Sequence, residues 1–144
     1  RIATTAGIAV VLTSLANVRG AVDGEEVGTI FHAGNHRAPS RALWIAHAST
    51  PKGALTLDAG ATHAILERGT SLLPAGVTTV TGDFAAGDVV DLVDAHGAVI
   101  ARGLVAFDSD EIPQLLGKST KELAATFGAE YERELVHRDD LTLI

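Results

Sequence analysis

Residues 55–107 read LTLDAGATHAILERGTSLLPAGVTTVTGDFAAGDVVDLVDAHGAVIARGLVAF, a stretch in which short apolar runs alternate with glycine-containing turns. Most of these runs are too short to be helices, and turn residues bound them on both sides, which is typical of β-strands joined by tight turns. The stretch therefore predicts a mainly β fold with short helices, arranged as a small closed or nearly closed barrel.

Apolar runs in and beside this stretch predict the strands of the barrel. They cover residues 42–46, 53–57, 77–81, 89–93 and 98–107. The last two runs are joined by residues 94–97, DAHG, which combine the residue types that close a hairpin turn.

Two short helices are predicted in the same region, over about residues 60–68 and 109–116. Asp58 and Ser109 stand where N-caps are expected, because their side-chain oxygens can accept hydrogen bonds from amides of the first turn. In the first helix, apolar residues recur at i, i+3 and i+4 spacing. Gly69 then ends the pattern, since glycine readily adopts the left-handed conformation found at helix ends.

The segment before the barrel has a different pattern. Residues 1–6 predict the end of a helix that Gly7 stops, and residues 8–15 form an apolar run typical of a strand buried on both faces of a parallel α/β sheet. A second short strand is predicted at 28–31. Residues 34–40, GNHRAPS, indicate a linker because Gly, Asn, Pro and Ser cluster there.

The segment after the barrel is predicted to be helical and then extended. Ser119 and Glu122 have the spacing of a capping box, in which each side chain satisfies a backbone amide of the other residue. Gly128 is expected to end the helix that they open. Residues 134–137 and 141–144 are short apolar segments that we expect to pair with a neighbouring sheet.

Composition limits the class of protein. The chain has 144 residues, 47% of them hydrophobic and only 4% aromatic, so it can bury a core built mainly from Val, Leu, Ile and Ala. The absence of Cys excludes disulfides and thiolate metal sites. No apolar run is long enough to span a membrane, and no signal-peptide pattern is present, which predicts a soluble cytoplasmic protein. Because the chain starts at Arg1 and lacks Met, we expect it to be a piece of a longer protein.

The charge balance argues against a nucleic-acid role. The chain carries a net charge of −7, and residues 40–117 hold only four basic residues against nine acidic ones. Phosphate contacts require clustered Lys and Arg. The middle of the chain lacks such a cluster.

RNA binding nevertheless stays open as an alternative function. Lys52, Arg68 and Thr70 would lie near one another if the predicted helix packed beside the first hairpin. The loop at 69–76 would then expose backbone donors suited to phosphates. These three residues are the candidate nucleic-acid contacts, and the scarcity of aromatic residues for base stacking is the argument against them.

Two fragments imitate kinase motifs. Gly117-Lys-Ser119 is similar to the end of a phosphate-binding loop, but that motif needs a glycine where this chain has Ile112. His137-Arg-Asp139 imitates the catalytic loop of protein kinases, yet its companion motifs are missing. We interpret the second fragment as a surface turn with a salt bridge, and neither fragment as catalytic.

Possible metal ligands are weak candidates. His32 and His36 have i, i+4 spacing, but Gly34 and Asn35 lie between them and no third ligand has a fixed spacing. Four aspartates are instead expected to close turns and to keep strand ends soluble, namely Asp83, Asp88, Asp91 and Asp94. We therefore assign no catalytic residue, no cofactor-binding residue and no metal ligand.

Eight phrases of the sequence, taken together, resemble a known family. They are GEEVGTIF at 24–31, WIA at 44–46, LDAGA at 57–61, GTSLLPAGV at 69–77, GDF at 82–84, GDVV at 87–90, IARGL at 100–104 and VHRD at 136–139. Their order and spacing are similar to those in the C-terminal part of bacterial glutamate 5-kinase. The resemblance covers nearly the whole chain, and it departs from the family at Ala106-Phe107, where the family tends to have Asn-Tyr.

The resemblance implies a division into three parts. Residues 1–39 would be the C-terminal remnant of an amino-acid kinase α/β sandwich and its linker. Residues 40–117 would be a PUA domain, a pseudo-barrel named after pseudouridine synthases and archaeosine transglycosylases. Residues 118–144 would form a C-terminal helix and an extended tail.

The resemblance also implies an activity for the whole enzyme. The family is a phosphotransferase with a carboxyl acceptor, which moves the γ-phosphoryl group of ATP to the γ-carboxylate of L-glutamate in proline biosynthesis. ATP and Mg²⁺ are thus implied for the full-length enzyme, whose glycine-rich loops and lysines the family places upstream of Arg1. The fragment is expected to be inactive alone and to hold no cofactor, with the upstream kinase domain and further copies of itself as partners.

Overall fold

The computed structural model describes residues 2–34 and 40–144, which separate into two compact units. The first unit ends at Leu43 and the second runs from Trp44 to Ile144.

The first unit contains short helices and a pair of strands. Its elements are α1 (Ile2–Thr5), β1 (Val10–Leu12), α2 (Val18–Val22), β2 (Thr29–Phe31) and α3 (Ser40–Leu43). The two strands pair in antiparallel fashion, with Val10 opposite Phe31. The helix end before Gly7 and the two strands were predicted correctly, although the strands are shorter than their apolar runs.

The expectation that the first strand is buried on both faces of a parallel sheet is wrong for this structure. Leu12 is 65% exposed and Phe31 is 47% exposed. A two-stranded antiparallel ribbon can cover little apolar surface by itself, because it has no second layer to pack against. The strands of the first unit therefore present apolar side chains to solvent.

Most of the predicted linker is not described by the structure, and the strand predicted at 42–46 is absent from the described residues. Residues 35–39 of the linker lie outside the described residues, and α3 begins directly after them. The strand at 42–46 is wrong, since the chain is helical there and continues from α3 into a π-helical turn over Trp44–Ala48. The turn is favoured because Ser49 closes it, donating its amide to the Trp44 carbonyl oxygen at 3.0 Å and its hydroxyl to the Ile45 carbonyl oxygen at 2.9 Å.

The second unit is built on five strands in one sheet. They are β3 (Gly53–Leu57), β4 (Val77–Gly82), β5 (Val89–Val93), β6 (Val99–Val105) and β7 (Val136–Leu143). Their order in the sheet is β4-β3-β5-β6-β7, with β3 and β5 parallel and the other pairs antiparallel. The strands predicted at 53–57, 77–81, 89–93 and 98–107 are confirmed, and the predicted tail strand pairs with β6.

The sheet does not close into a barrel. Among the described residues β4 and β7 are its two edges. Leu72, in the loop that leads into β4, forms a bridge to β7. Its amide donates to the Val136 carbonyl oxygen at 2.8 Å. The result is an open sheet whose two edges are linked through the bridge between Leu72 and Val136, rather than the closed barrel that the short strands also allowed.

Two helices complete the second unit, α4 (Ala59–Arg68) and α5 (Thr120–Phe127). The Asp58 carboxylate accepts a hydrogen bond from the Ala61 amide at 2.7 Å and so begins α4, and Gly69 ends it in the left-handed conformation, as predicted.

The predicted helix at 109–116 is wrong. The chain forms turns there and a single 3₁₀ turn over Ile112–Gln114. Ser109 does not cap a helix, because its hydroxyl accepts a hydrogen bond from the Phe84 amide at 3.3 Å and its own amide donates to the Phe84 carbonyl oxygen at 2.9 Å. A contact across 25 residues thus replaces the local cap.

The core lies mainly between the sheet, α4, α5 and the turns after β6. Its fully buried members include Leu55, Ile65, Leu92, Val105, Ile112, Leu115, Leu123 and Val136. Aliphatic residues dominate, as the composition predicts. An aromatic cluster joins α5 to this core, since the Tyr131 ring stacks on Phe107 at 5.6 Å and contacts Phe127 at 5.4 Å between ring centroids.

The capping box of α5 is confirmed and gives the helix a pH dependence. The Ser119 amide donates to Glu122 Oε2 at 2.8 Å, and this hydrogen bond lowers the pKa of Glu122 below its ordinary value of 4.5. A carboxylate whose pKa is lowered by folding contributes stability above its unfolded pKa and loses that contribution as the pH falls through the folded pKa. The start of α5 should therefore loosen in acid.

We expect NMR to detect this loosening at the Ser119 amide. Its chemical shift should titrate below about pH 4.5 in step with the Glu122 carboxyl group. The Glu122→Ala variant is the control, because it removes the titrating acceptor and should abolish the transition. A Ser119 shift that titrates unchanged in the variant would contradict the capping-box assignment.

Candidate functional site

A groove of about 420 Å³ lies between α4 and the loop that leads into β4. Residues of both walls line it, among them Asp58, Ala61, Ala64, Thr70, Ser71 and Gly76. A cavity of this size is within the range that binds small ligands. It is formed entirely by the second unit.

Backbone contacts hold the loop against the helix. The Asp58 amide donates to the Gly76 carbonyl oxygen at 2.9 Å. A Cβ atom at Gly76 would lie 2.5 Å from the Ala61 Cβ, so only glycine allows this close approach. On the other side of the loop, the Arg138 amide donates to Ser71 Oγ at 3.0 Å. The shape of the groove is therefore set by the packing of this loop against α4 on one side and against β7 on the other.

The lining of the groove is mainly apolar with a few polar groups. Ile65 and Leu72 give it an apolar floor, and Thr70 and Ser71 place hydroxyls along one side. Among the described residues that line it there is no histidine, lysine or arginine. A nucleophilic hydroxyl would need an adjacent base. The Asp58 carboxylate is the one charged group, and it is engaged at the helix N-terminus.

The three predicted nucleic-acid contacts do not share one cavity. Thr70 lines the groove, and Arg68 is the exposed last residue of α4 but does not line it. Lys52 precedes β3 and lines a different cavity, together with Asp83 and Asp88. The structure thus places Lys52 apart from the groove, and RNA contact by these residues stays a prediction.

The cavity beside Lys52 has a negative character. It measures about 470 Å³ and is lined by four aspartates, Asp83, Asp88, Asp108 and Asp110. Asp88 closes a turn by accepting a hydrogen bond from the Ala85 amide at 3.0 Å, as predicted. Asp108 accepts a similar bond from the Ala86 amide at 2.7 Å. A phosphate bound at Lys52 would meet these carboxylates, so the local charge opposes it.

Asp91 and Asp94, which were also predicted to close turns or to keep strand ends soluble, have different roles. Asp94 closes the hairpin between β5 and β6, and the hydrogen bond from the Ala98 amide lowers the pKa of the Asp94 carboxyl group. Asp91 closes no turn. It accepts a hydrogen bond from Arg102 Nε at 2.7 Å across the β5–β6 pair, a contact that the sequence did not reveal.

The described residues do not fit a site for ATP and Mg²⁺. At the fragment that is similar to a phosphate-binding loop, Lys118 Nζ donates to the Gln114 carbonyl oxygen at 2.6 Å and Ser119 caps α5. Within residues 2–34 and 40–144 no group of three or more His, Cys, Asp or Glu side chains could hold a metal ion. His32 is exposed, and its proposed companion His36 lies outside the described residues. We therefore assign no phosphoryl-transfer step to this chain.

The fragment that imitates a protein-kinase catalytic loop belongs to β7. His137, Arg138 and Asp139 are exposed residues of β7, so the predicted turn is wrong. They lie in the irregular part of the strand, between Val136 and Leu141, which both pair with β6, and the Arg138 amide donates to Ser71 Oγ. The predicted salt bridge is present between Arg138 Nε and Asp139 Oδ1 at 3.8 Å. An exposed ion pair of this kind contributes little to stability.

Helices in the described part of the chain are all too short or too polar to serve as membrane spans.

Comparison with known proteins gives matches in both sequence and structure. The family model for the PUA domain matches residues 53–127. The chain is 58% identical to the glutamate 5-kinase of Streptomyces avermitilis over 144 residues, which is 100% of this chain and 38% of that protein. It is 56% identical to the glutamate 5-kinase of Frankia casuarinae, again over all of this chain and 39% of that protein. The chain thus spans less than two fifths of the length of these relatives.

Among solved structures, a PUA domain from Aeropyrum pernix K1, crystallised as a tartrate complex, matches 60% of this chain and 41% of its own chain. The identity is 27% and the TM-score is 0.45.

Proposed function

The chain belongs to the PUA domain family, and from this premise we propose that it is the C-terminal, PUA-bearing part of a glutamate 5-kinase. In this proposal residues 1–39 are the end of the amino-acid kinase domain with its linker. Residues 40–117 are the PUA module, and residues 118–144 add a helix and a strand to it.

The observation that carries the proposal is the extent of the match. The identity of 58% to the Streptomyces avermitilis enzyme runs over all 144 residues, and so includes both units. A match confined to residues 53–127 would support only a PUA domain attached to some other protein. Because the match covers both units, it supports a protein in which the PUA domain follows the same segment as in the glutamate 5-kinases.

The exposed apolar strands of the first unit also support it. Leu12 and Phe31 lie on the β1–β2 ribbon and are largely exposed. Contiguous apolar surface of this kind is usually covered by other protein. In the proposed enzyme the remaining strands and helices of the kinase sandwich would supply that cover.

The activity proposed for the whole protein is transfer of the γ-phosphoryl group of ATP to the γ-carboxylate of L-glutamate, in proline biosynthesis in the cytoplasm. Such a transfer depends on backbone amides, cationic side chains and Mg²⁺ that stabilise charge on the moving phosphoryl group. This proposal places those groups in the larger part of the protein outside residues 1–144. The PUA module would then influence the activity of the enzyme or its assembly into homo-oligomers, and would contribute no residue to phosphoryl transfer.

A growth experiment tests the proposal. In a bacterium that lacks its own glutamate 5-kinase and requires proline, we expect the 144-residue chain alone to leave the requirement unchanged. A longer polypeptide that includes the residues preceding this chain should restore growth without proline. Growth supported by the chain alone, or failure of the longer polypeptide despite soluble expression, would count against the proposal.

The purified chain also allows a test of the alternative function, RNA binding. Salt-dependent binding of structured RNA by the purified chain, lost in Arg68→Ala, would favour an RNA-binding module. Coupled with failure of the longer polypeptide in the growth experiment, that result would replace the kinase proposal.

A further inference from the structure

Arg102 joins three separate segments of the second unit. It lies on β6, and its Nε donates to Asp91 Oδ1 on β5 at 2.7 Å. Its Nη1 donates to the carbonyl oxygen of Ala46 at 2.8 Å. One guanidinium group therefore connects two neighbouring strands of the sheet to the turn at Trp44–Ala48, 56 residues away in sequence.

These contacts are stronger than those of an ordinary surface ion pair. The side chains of Arg102 and Asp91 are only 24% and 23% exposed. Both hydrogen bonds have a charged donor and are short, which makes them about twice as strong as neutral ones. The planar fork of arginine can direct one N–H group to the carboxylate and another to the carbonyl at the same time, whereas lysine offers a single nitrogen.

The turn that Arg102 holds stands at the start of the second unit. Trp44 is the first residue of that unit and follows Leu43, the last residue of the first unit. Ile45 is fully buried, so it anchors the turn by packing, while the Ala46 carbonyl oxygen is fixed by Arg102. The turn is π-helical, a rare conformation that is frequent at functional positions.

We propose that Arg102 and Asp91 form a clamp that fixes the start of the second unit, at residues 44–48, on its sheet. With the clamp formed, residues 44–48 are held on the sheet and move with it. With the clamp broken, the turn keeps the packing of Ile45 and Ala46 but loses its hydrogen bond to the sheet, and it opens more readily. Arg102 is thus a positioning residue for the junction that follows the first unit.

The single tryptophan of the chain reports directly on this clamp. Trp44 lies on the clamped turn and is 48% exposed. In Arg102→Gln the acrylamide quenching constant of Trp44 fluorescence should rise about twofold, because local opening takes the indole from half-exposed towards full exposure. Far-UV circular dichroism should be unchanged, since the strands stay paired.

Arg133→Gln is the matched control. Arg133 also donates to a backbone carbonyl, from Nη2 to the Ala106 oxygen at 2.7 Å, but it does not contact the turn. Its loss should leave Trp44 quenching at the wild-type value. Equal quenching in the wild type, Arg102→Gln and Arg133→Gln would overturn the clamp.

Two further substitutions keep the proposal testable if Arg102→Gln does not fold. Asp91→Asn preserves the shape of the acceptor and removes its charge, and Arg102→Lys preserves the charge and removes the fork. Each should raise the Trp44 quenching constant, by less than the full twofold change. Wild-type quenching in both folded variants would overturn the proposal.

Proteolysis tests the clamp in a longer polypeptide. Lys52 is exposed and follows the turn, and its amide donates to the Val89 carbonyl oxygen at 2.9 Å. Trypsin should cleave after Lys52 severalfold faster in Arg102→Gln than in the wild type or in Arg133→Gln. Equal rates would contradict the clamp. The cleavage rate does not depend on kinase activity. The clamp can therefore be refuted while the proposed function stands, and the proposed function can be refuted while the clamp stands.

Discussion

Replacing Leu92 by Ala is expected to lower the free energy of unfolding of the second unit by about 2–5 kcal/mol. Leu92 is fully buried on β5, the strand that pairs with both β3 and β6 at the centre of the sheet. The substitution removes apolar contacts and leaves a cavity that the paired strands on either side cannot easily fill. Urea unfolding followed by circular dichroism measures the loss.

Leu143→Ala is the matched control for Leu92→Ala. Leu143 is also a strand leucine, but it lies on the edge strand β7 and is 51% exposed. We expect this variant to lose less than about 1 kcal/mol, because little apolar surface leaves the core. Equal losses in the two variants would show that the core does not lie where the structure places it.

Replacing Gly103 by Ala is expected to destabilise the second unit by about 1–3 kcal/mol through overcrowding. A Cβ atom at Gly103 would lie 2.3 Å from Val136 Cγ1 and 3.1 Å from the Asp140 carbonyl oxygen. Val136 is fully buried and branched at Cβ, so its side chain cannot swing away. β6 and β7 would have to separate, and the midpoint of urea unfolding should fall.

A second substitution tests the cause of that loss. Val136→Ala removes the crowding atom, so the double variant Gly103→Ala/Val136→Ala should lose at least about 0.5 kcal/mol less than the sum of the two single variants. Gly60→Ala is the control for glycine replacement as such, since Gly60 lies in α4, where alanine is favoured. A Cβ atom there would meet only Asp58 Oδ1, at 3.3 Å, so we expect the loss to be smaller than in Gly103→Ala. Strict additivity in the double variant would rule out the clash.

The elements that could be predicted are those determined by neighbouring residues. Asp58 and Gly69 bound α4, and Ser119 and Glu122 begin α5, because each cap satisfies amides within the same turn. The positions of these helix ends can therefore be predicted from the spacing of the capping residues. The four strands between 53 and 107 were also predictable, since turn residues separate their apolar runs.

The elements that could not be predicted depend on distant contacts. The apolar run at 42–46 suits a strand or a helical turn equally, and tertiary packing of Ile45 together with the hydrogen bond from Arg102 selects the turn. Ser109 has the residue type of a cap, but Phe84 engages both its amide and its hydroxyl. No local pattern distinguishes these outcomes.

The same limit applies to the candidate site. Lys52 was proposed as a phosphate contact on the assumption that the helix packs beside the first hairpin and brings it near Arg68 and Thr70. The fold instead places it in a cavity with aspartates from two separate loops. The groove beside α4 could be anticipated only in part, from Thr70 and the glycine-containing loop. The contact between Arg102 and Ala46 spans 56 residues, and no signal in the sequence pointed to it.

The resemblance to glutamate 5-kinase was the most successful inference from the sequence, and some of its phrases meet in the fold. Two of the phrases that carry it, WIA at 44–46 and IARGL at 100–104, meet in space through the hydrogen bond from Arg102 to Ala46. Another phrase, VHRD at 136–139, packs its valine against Gly103. The family was indicated by the order and spacing of eight phrases together, which single motifs lack.

In the proposed enzyme, this chain is the PUA-bearing part, and the phosphoryl-transfer machinery lies elsewhere in the protein. The most direct test measures glutamate-dependent ADP release from MgATP, side by side for the purified 144-residue chain and for the longer polypeptide. We expect release by the longer polypeptide and none by the chain. Release by the chain alone, or none by a folded longer polypeptide, would contradict the proposal.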